Sequence, residues 1–506
     1  MKLLSITSIL AAVVLFSSCS KFLEEEPSSF VGADGFFKTE EQIKASVNGV
    51  YMPLTSIYSQ NLIIATEGVT DLAFLNSSSV DAKMEISPAN PGMGDDLWQN
   101  AYKGVMYANA SIAGIKRSTV DEAKKGSYLA EAITLRAVYY YLLTSTFNGV
   151  PYYTKNVNSV EVLEEVNKLP RTDANIVRDS LIQDLQAHVE LLPQKRTSDI
   201  TGNRVSAPLA YMLIAKMALW NKKYEVAKEA LLKIKEIYGD LAQYPLVDTY
   251  YRNKNTPESI FEVQYAWSTT GIKKTTQVAC FFTPAKKAGT ATYDGVDIPE
   301  LGDKANPFTS ITPSEYFMGL YDVYDPRREI ILAYTYNGKN FSRPMANNGT
   351  GKAWMGPKFW CPGMQNLADG NNQKVFRYAD ALLMLAECAN ELGDTDLAMS
   401  SINAVKKRAE EEAIIEREFQ LASYPGKAEF FKEVQEERAR ELMGEYGRKY
   451  DLVRWDIYAA SIQNTIAEEF PDIKSNFRPY HRYYPIPDVE VVKSEGALSN
   501  PEYTGQ

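Results

Sequence analysis

Apolar residues recur at helical intervals through a stretch near the C-terminus, residues 377–409. In its first half they are three or four positions apart, which places them on one face of a helix. These positions are Tyr378, Ala381, Leu382, Leu385, Ala386, Ala389 and Leu392. Gly393 follows, where a left-handed residue commonly ends a helix, and Asp394 or Thr395 can cap the next one. A second stripe comes at Ala398, Ile402, Val405 and Ala409. The stretch therefore predicts a helical hairpin.

The same pattern occurs earlier, within residues 206–238. Small and bulky apolar residues again follow one another at matching intervals, at Ala215, Ala218, Ala227, Leu231 and Ile234. Both stretches resemble the tetratricopeptide repeat, whose helix pairs stack because neither helix buries its apolar face alone. We predict a mainly α fold with tetratricopeptide-like helical-hairpin repeats as its scaffold.

Four further segments have helical periodicity, namely 35–51, 96–115, 126–147 and 175–192. Thr39 is suited to cap the first helix. Trp98 lies on the apolar side of the second, where we expect it in the core. Arg136 stands among apolar residues, so we expect it to pair with a buried carboxylate or with carbonyl groups. His188 shares a stripe with leucines, which favours packing over a role as a ligand.

The pattern changes after Pro257. The sequence SIFEVQYAW, residues 259–267, is rich in β-branched and aromatic residues and predicts a strand. The following hundred residues contain many Gly, Pro, Asn and Thr, with scattered aromatic residues and few helical stripes. We predict a loop-rich insertion with short strands over about 256–375. An earlier polar loop, from about Asp71 to Gly94, is long for a connection inside a compact domain, and such loops are often functional.

The N-terminus is typical of an exported lipoprotein. Lys2 precedes an apolar run from Ile9 to Phe16 that is too short to span a bilayer. Ser17 and Ser18 then lead to Cys19, the order expected before a cysteine that becomes the acylated first residue. We predict a signal peptide over residues 1–18 and lipidation of Cys19. Each buried methylene of such an anchor contributes about 0.8 kcal/mol to membrane binding.

Charge argues against nucleic acid as a partner. Without Lys2, 53 basic residues face 64 acidic ones, a net charge of −11. Nucleic-acid affinity depends largely on neutralising phosphates with Lys and Arg. The 45% content of apolar residues is ample for a packed core, and the length suits one large domain.

Several motifs resemble the SusD/RagB family, the surface nutrient-binding lipoproteins of Bacteroidetes. Near the C-terminus these are RYADALLMLAECANELG, ERARELMGEYGRKYDLVRW and YYPIPDVEVVKSEGALSNPEY. Upstream they are KFLEEEP after Cys19, WQNAYKGVMYANASIAGI and AEAITLRAVYYYLLTSTFNGVPYY. The resemblance implies a single SusD-like domain over 19–506. Its parts are an N-terminal region of about 22–255, the insertion of about 256–375 and a C-terminal region of about 376–506.

The resemblance also implies a location and partners. Members of the family are anchored in the outer membrane by lipid and exposed at the cell surface. They cover a SusC-like TonB-dependent transporter as a lid, with the repeats facing the transporter and the nutrient site on loops elsewhere. It implies a glycan as ligand, or a peptide or other nutrient as in the RagB branch.

Catalytic and metal-binding patterns are weak in this sequence. It has two histidines, neither in the context of a nucleophile, and we predict no cofactor and no metal. Residues 349–352 (GTGK) lack the spacing of a phosphate loop. Glu437 and Glu441 lie one helical turn apart and are the pair a glycoside hydrolase would need. The interleaved Arg438 and Arg440 favour an ion-pair network instead. A disulfide between Cys280 and Cys361 remains an open alternative.

Sugar-binding sites use exposed aromatic rings for apolar C–H faces and polar side chains for hydroxyl groups. The candidates for ring platforms are Trp267, Tyr293, Trp354 and Trp360. The early loop adds Asp71, Phe74 and Asn76. The favoured hypothesis is capture of an oligosaccharide and its delivery to the transporter without covalent chemistry. The alternatives are peptide capture, glycoside hydrolysis and a scaffold that contacts no ligand.

Overall fold

Helices account for most of the described part of the chain. The structure is a computed structural model, and it describes residues 36–267, 274–342, 353–411, 420–465 and 471–503. The first α-helices are α1 (Glu40–Ser56), α2 (Leu62–Glu67), α3 (Val80–Lys83), α4 (Met93–Arg117), α5 (Glu122–Phe147), α6 (Val160–Asn167), α7 (Ala174–His188), α8 (Ala207–Trp220) and α9 (Tyr224–Tyr238). A π-helical segment, Ile57–Asn61, joins α1 to α2.

The later helices lie within and after the insertion. They are α10 (Val278–Phe282), α11 (Glu315–Gly319), α12 (Arg327–Ile331), α13 (Tyr378–Leu392), α14 (Thr395–Glu411), α15 (Lys427–Leu442), α16 (Arg448–Arg454), α17 (Tyr458–Asn464), α18 (Pro471–Asn476) and α19 (Asp488–Lys493). Short 3-10 turns lie at Val189–Leu191, Thr197–Asp199, Leu241–Gln243, Leu246–Thr249, Pro299–Leu301, Pro479–Arg482 and Pro501–Tyr503. Among the described helices, none combines the length and the apolar run that crossing a bilayer requires.

Strands are short and form antiparallel pairs. They are β1 (Ala73–Leu75), β2 (Ser259–Val263), β3 (Thr292–Tyr293), β4 (Val296–Asp297), β5 (Ile311–Pro313), β6 (Leu332–Ala333), β7 (Thr335–Tyr336), β8 (Lys339–Asn340), β9 (Trp354–Met355) and β10 (Gln373–Arg377). The pairs are β1 with β5, β2 with β10, β3 with β4, β6 with β9 and β7 with β8. The β2–β10 pair closes the insertion at its base, since β2 opens it and β10 leads directly into α13.

Both predicted hairpins are present, as α8–α9 and α13–α14. Gly393 ends α13 with a φ of 76°, the left-handed conformation that the sequence predicts there. Asp394 begins the next helix, because its Oδ1 accepts a hydrogen bond from the Leu397 N–H at 3.3 Å. Helix α9 packs against α13, so the two hairpins are neighbours although the insertion separates them in sequence. This arrangement is consistent with tetratricopeptide-like stacking and confirms the mainly helical fold.

The upstream helices also match their predictions. Thr39 caps α1 through a capping box with Gln42. Trp98 is buried in the core. Arg136 donates hydrogen bonds to Asn109 Oδ1 at 2.9 Å and to Asp184 Oδ2 at 2.5 Å, which confirms its pairing with a carboxylate. His188 is half-buried at the end of α7, with Nδ1 lying 2.7 Å from the Asp184 backbone oxygen.

A buried ion-pair network joins the insertion to the C-terminal helices. Glu441 accepts hydrogen bonds from Arg377, Arg408 and Arg327, and Glu437 accepts from Arg327 and Arg440. These six side chains come from β10, α12, α14 and α15. The network confirms the ion-pair interpretation of Glu437 and Glu441.

The thiols do not pair. Cys280, Cys361 and Cys388 are all free, so the alternative of a Cys280–Cys361 disulfide is wrong for this structure. Cys388 is buried within α13, where a small apolar side chain fits the helix crossing. Burial raises the pKa of Cys280 to about 12. The signal peptide, Cys19 and the 349–352 motif lie outside the described residues.

Candidate functional site: an aromatic and amide surface on the insertion

Two of the predicted platform residues are buried. Trp360 is 1% exposed and its Nε1 donates to the Met355 backbone oxygen at 3.0 Å. Tyr293 is 0% exposed and its hydroxyl donates to the Gly302 backbone oxygen at 2.8 Å. Both rings pack in the core of the insertion, so neither presents a face to a ligand. Their assignment as platforms is wrong for this structure.

Asp71 is also buried and belongs to an ion pair. Its Oδ1 and Oδ2 accept hydrogen bonds from Arg448 Nε and Nη2, at 2.8 and 2.6 Å. Its backbone oxygen accepts from the Ser314 hydroxyl at 2.6 Å. Such a two-point guanidinium pair satisfies the carboxylate within the protein. Asp71 therefore ties the early loop to α16 and to Ser314 at the start of α11, and it is not available to bind a hydroxyl group.

Trp354 is half-buried and is held by a tight hairpin. Its Nε1 donates to Asp294 Oδ2 at 2.7 Å, while Asp294 Oδ1 accepts from the Ser342 hydroxyl at 2.7 Å. Asp294 and Gly295 form the two-residue turn between β3 and β4, with φ angles of 42° and 83°. An Asp-Gly pair with both φ angles positive is the turn that two-residue hairpins favour. This turn thus fixes the orientation of the Trp354 ring.

Trp267 remains an exposed aromatic candidate. It is 38% exposed and lies beside the turn at Asp369 and Gly370. A Cβ on Gly370 would stand 2.9 Å from both Cβ and N of Trp267, so only glycine permits this close approach. The turn is anchored because the buried Asp369 accepts hydrogen bonds from the Ala279 and Asn371 N–H groups, each at 3.0 Å. Trp267 is therefore positioned by a well-defined turn.

The β1–β5 pair brings the early loop to the insertion. Phe74 is half-buried and stands opposite Thr312 in the ladder. Asn76 is exposed, and its backbone N–H donates to the Ser310 oxygen at 2.7 Å. Two residues before Ser310 lies Phe308, which is 46% exposed and whose ring centroid is 5.3 Å from that of Phe281. We call Phe74, Asn76 and Phe308 the ribbon surface.

Sequence reasoning missed Phe308. The sequence shows only an aromatic residue directly after Pro307 in a polar loop, NPFTS, and this pattern does not tell whether the ring is exposed. Strand β5 also lies beside β9, which carries Trp354. The ribbon surface and Trp354 are therefore joined through the neighbouring strands β1, β5 and β9.

These groups suit recognition of a polar molecule with apolar faces. Exposed rings can cover C–H faces, while Asn76 can donate to and accept from hydroxyl groups. Within the described ranges, no three His, Cys, Asp or Glu side chains are grouped to hold a metal ion. The structure thus offers binding groups at this surface.

Glu437 and Glu441 are unsuited to glycoside hydrolysis. Burial alone would raise the pKa of each, but the neighbouring cations more than offset it. Arg327, Arg440 and Lys406 lower the pKa of Glu437, and Arg408, Arg377 and Arg327 lower that of Glu441. A general acid needs a raised pKa so that it carries a proton at neutral pH. Both carboxylates are instead held ionised inside the network.

Comparison with known proteins gives matches along most of the chain. A sequence model of the SusD family matches residues 346–503, and one described as starch-binding, associating with the outer membrane, matches residues 21–219. SusD-like protein P25 of Formosa agariphila is 26% identical over 529 residues, covering 96% of each chain.

Solved structures share the fold. A SusD homolog from Bacteroides thetaiotaomicron has a TM-score of 0.76 at 20% identity, covering 93% of this chain and 98% of that one. Surface glycan-binding protein A from the same organism, in complex with laminarihexaose, has a TM-score of 0.67 at 21% identity, covering 91% and 98%. The sequence motifs, both sequence models and the fold all match SusD-like proteins. The chain belongs to the SusD/RagB family.

Proposed function

We propose that this protein binds a glycan at the cell surface and passes it to a partner transporter without changing it covalently. Family membership supports a nutrient-binding role, and one structural relative is a glycan-binding protein in complex with laminarihexaose. The described residues carry binding groups at the insertion, while the paired glutamates are locked in an ion network. Together these features favour capture over catalysis.

The observation that carries the proposal is the pairing of β1 with β5. It joins a loop of the N-terminal region to the insertion across more than two hundred residues of sequence. At this junction the backbone N–H of Asn76, an exposed amide residue, donates to the Ser310 oxygen, and the exposed Phe308 stands two residues before Ser310 in the chain. Groups held in place before binding lose less conformational entropy when a ligand arrives. Binding of a flexible glycan already costs conformational entropy of the sugar chain, so a binding surface that is ordered beforehand keeps the total entropy loss small.

The remaining parts of the proposal concern location and delivery. We propose that Cys19 carries a lipid that anchors the protein in the outer membrane. We further propose that the stacked helical hairpins face a SusC-like TonB-dependent transporter, which the protein covers as a lid. The insertion would then offer its glycan surface on a different part of the molecule from the transporter contact.

Calorimetry on the chain lacking residues 1–19 tests the proposal. Laminarihexaose and maltohexaose serve as probes, and the variants are Phe308→Ala, Asn76→Ala, Trp354→Ala and Trp267→Ala. We expect at least one sugar to bind, and Phe308→Ala to weaken that binding about tenfold or more, equivalent to about 1.4 kcal/mol. The loss of ring contact with C–H groups is the physical reason.

Tyr107→Ala is the matched control, because Tyr107 is a similarly exposed aromatic residue on α4. It should leave the affinity unchanged. If neither sugar binds, a wider glycan array follows. If the protein binds no glycan of that array but does bind peptides, peptide capture replaces the glycan proposal.

A further inference from the structure

A cavity lined by aromatic and polar residues lies at the C-terminal end of the described chain. It has a volume of about 400 Å³ and lies between the end of α5 and residues 479–503. Its walls include Tyr480, Tyr483, Tyr484 and Tyr503, with Arg482 and Glu502 among the polar residues. We call it the C-terminal pocket. Its volume falls within the range of about 300–1,000 Å³ that is typical of small-molecule sites.

The frame of this pocket is fixed by hydrogen bonds. Arg171 donates to the backbone oxygens of Phe147, Gly149 and Ser499, at 2.8, 2.8 and 3.0 Å. Asn500 exchanges two hydrogen bonds with the Ile486 backbone, at 2.7 and 2.8 Å. These contacts join the end of α5 to the C-terminal segment. The cavity is therefore built by the fold.

The tyrosine rings are also held in place. The Tyr503 hydroxyl donates to the Tyr483 backbone oxygen at 2.7 Å, and the Tyr484 hydroxyl donates to Asp81 Oδ1 at 2.7 Å. The Tyr480 and Tyr503 ring centroids are 4.5 Å apart, with the planes tilted by 55°. Tyr480 and Tyr483 are only partly buried. Their rings are thus positioned at the accessible part of the wall.

Four polar groups around this wall make no short side-chain hydrogen bond to another described residue. Among the described residues, no side chain or backbone group makes a hydrogen bond to the hydroxyl of Tyr480 or Tyr483. Arg482 is half exposed. Its guanidinium carbon lies 5.6 Å from the centroid of the Tyr483 ring, and the carboxylate paired with it, that of Asp456, is 3.7 Å away. Glu502 lies 3.8 Å from Arg171. The pocket therefore combines ring surfaces with two phenols, a guanidinium and a carboxylate.

This combination excludes a purely apolar occupant, because such a molecule would desolvate the four polar groups without replacing their hydrogen bonds. A hydroxylated ring satisfies both kinds of surface. Its C–H face can pack on tyrosine rings, and its hydroxyl groups can pair with guanidinium and carboxylate. We propose that the C-terminal pocket is a second saccharide-binding site that accepts one or two sugar units. The ligand class rests on the proposed glycan-binding function.

Hydroxyl-radical footprinting of the full chain in detergent tests this inference, since it reads each site separately. The probes are laminarihexaose, maltohexaose and a hexamer of galacturonate. We expect at least one of them to slow oxidation of Tyr480 and Tyr483 severalfold. The Arg482→Ala variant should lose that protection and keep the protection of Phe308. Tyr107, on α4, should oxidise at the same rate with and without sugar.

The outcomes separate the two proposals. Protection of Phe308 with unchanged oxidation of Tyr480 and Tyr483 overturns the second site and leaves the ribbon surface standing. Protection of Tyr480 and Tyr483 alone supports the second site and removes the ribbon surface. Unchanged oxidation at all of these residues with all three sugars overturns both. If sugar still protects Tyr480 and Tyr483 in the Arg482→Ala variant, the role of Arg482 in the site, and with it the proposed site, is overturned.

Discussion

At the scale of single residues, the buried charges are the groups most sensitive to change. Glu441 is almost fully buried and accepts hydrogen bonds from Arg377, Arg408 and Arg327. Placing a charge in the interior is costly unless partners of opposite sign surround it. Removing the negative charge here would leave three buried guanidinium groups short of a counterion. The network therefore constrains its members far more than a surface ion pair does.

The first prediction follows from this network. We expect Glu441→Gln to lower the free energy of unfolding by about 3–5 kcal/mol, as is typical when one partner of a buried ion pair is lost. Glu236→Gln is the control, since Glu236 is exposed and pairs with Lys233 at 3.4 Å. It should change stability by less than about 0.5 kcal/mol. Urea denaturation measures both, and similar values for the two variants would contradict the network's role.

Glu67 gives a second prediction, with a defined pH dependence. Burial raises its pKa from 4.5 to about 7, although the Gly447 and Arg448 N–H groups donate to Oε1 at 3.0 and 3.2 Å. The folded state thus retains a proton that the unfolded chain has already released. For this group, the free energy of unfolding falls as the pH rises from about 4.5 to about 7.

Glu67→Gln cannot ionise and removes this dependence. Relative to the native chain, the variant should gain about 1–3 kcal/mol between pH 4.5 and pH 7, and the difference should stay constant above that window. Unfolding of both proteins by urea at several pH values gives the difference directly. A difference that does not vary with pH would mean that Glu67 is not protonated in the folded state.

At the scale of elements, periodicity predicted the long helices, and β-branched and aromatic content predicted one strand, since β2 (Ser259–Val263) lies within the predicted segment 259–267. The stripes around Ala386 and Ala218 identify both hairpins because apolar residues recur at helical intervals over many turns. Helices α9 and α14 each bury one face, whereas α8 and α13 are buried on almost every side. Strands such as β3 and β9 contain two residues, too few for an alternating pattern to appear. The β1–β5 pair joins segments more than two hundred residues apart, and no local pattern in either segment indicates its partner.

The candidate site shows the same limit. Trp360 and Phe308 both lie in irregular segments, where composition identifies an aromatic residue but gives no information about its side-chain direction. Trp360 is buried and Phe308 is exposed, and the pairing of strands that are distant in sequence decides which side chain is covered. Asp71 likewise has the sequence context of a polar loop residue. Only the structure shows that Arg448, distant in sequence, pairs with it. In a loop-rich insertion, burial is decided by long-range contacts.

Two glycines provide a prediction about turns. Gly393 and Gly444 both have positive φ, 76° and 81°, but their surroundings differ. A Cβ on Gly393 would meet open space, whereas one on Gly444 would lie 2.4 Å from Cε1 of Phe359. We expect Gly393→Ala to cost about 1 kcal/mol of backbone strain. Gly444→Ala should cost a further 1–3 kcal/mol or so from overpacking.

Thermal or urea unfolding of the two variants measures these costs. The comparison is controlled internally, because both substitutions add one methyl group at a left-handed position. Equal losses would show that the Phe359 ring moves aside freely. A larger loss for Gly444→Ala would establish that the turn after α15 and the insertion are packed as one unit.

At the scale of the whole molecule, the insertion is an addition to a scaffold that is continuous without it. Helices α9 and α13 are in contact although β2 to β10 intervene between them. The β2–β10 pair brings the two ends of the insertion together at its base. The insertion can therefore vary in its loops and side chains while the hairpins remain stacked. This division fits the proposed arrangement, in which the hairpins contact the transporter and the insertion carries the ligand surface.

The anchor gives the last prediction, because a lipid on Cys19 would act on the molecule as a whole. Each buried methylene of an acyl chain contributes about 0.8 kcal/mol to membrane binding, so we expect attachment to depend on the proposed lipid at Cys19. In a Bacteroidetes host, Cys19→Ala should move the protein from the membrane fraction to the soluble fraction. Affinity for the glycan, measured on the purified protein, should stay unchanged, since the ribbon surface is remote in sequence from residue 19.

Lys2→Ala, which retains the cysteine, should remain in the membrane fraction as the control. Persistence of Cys19→Ala in washed membranes would mean that something other than lipid, such as a tight complex with the transporter, holds the protein there.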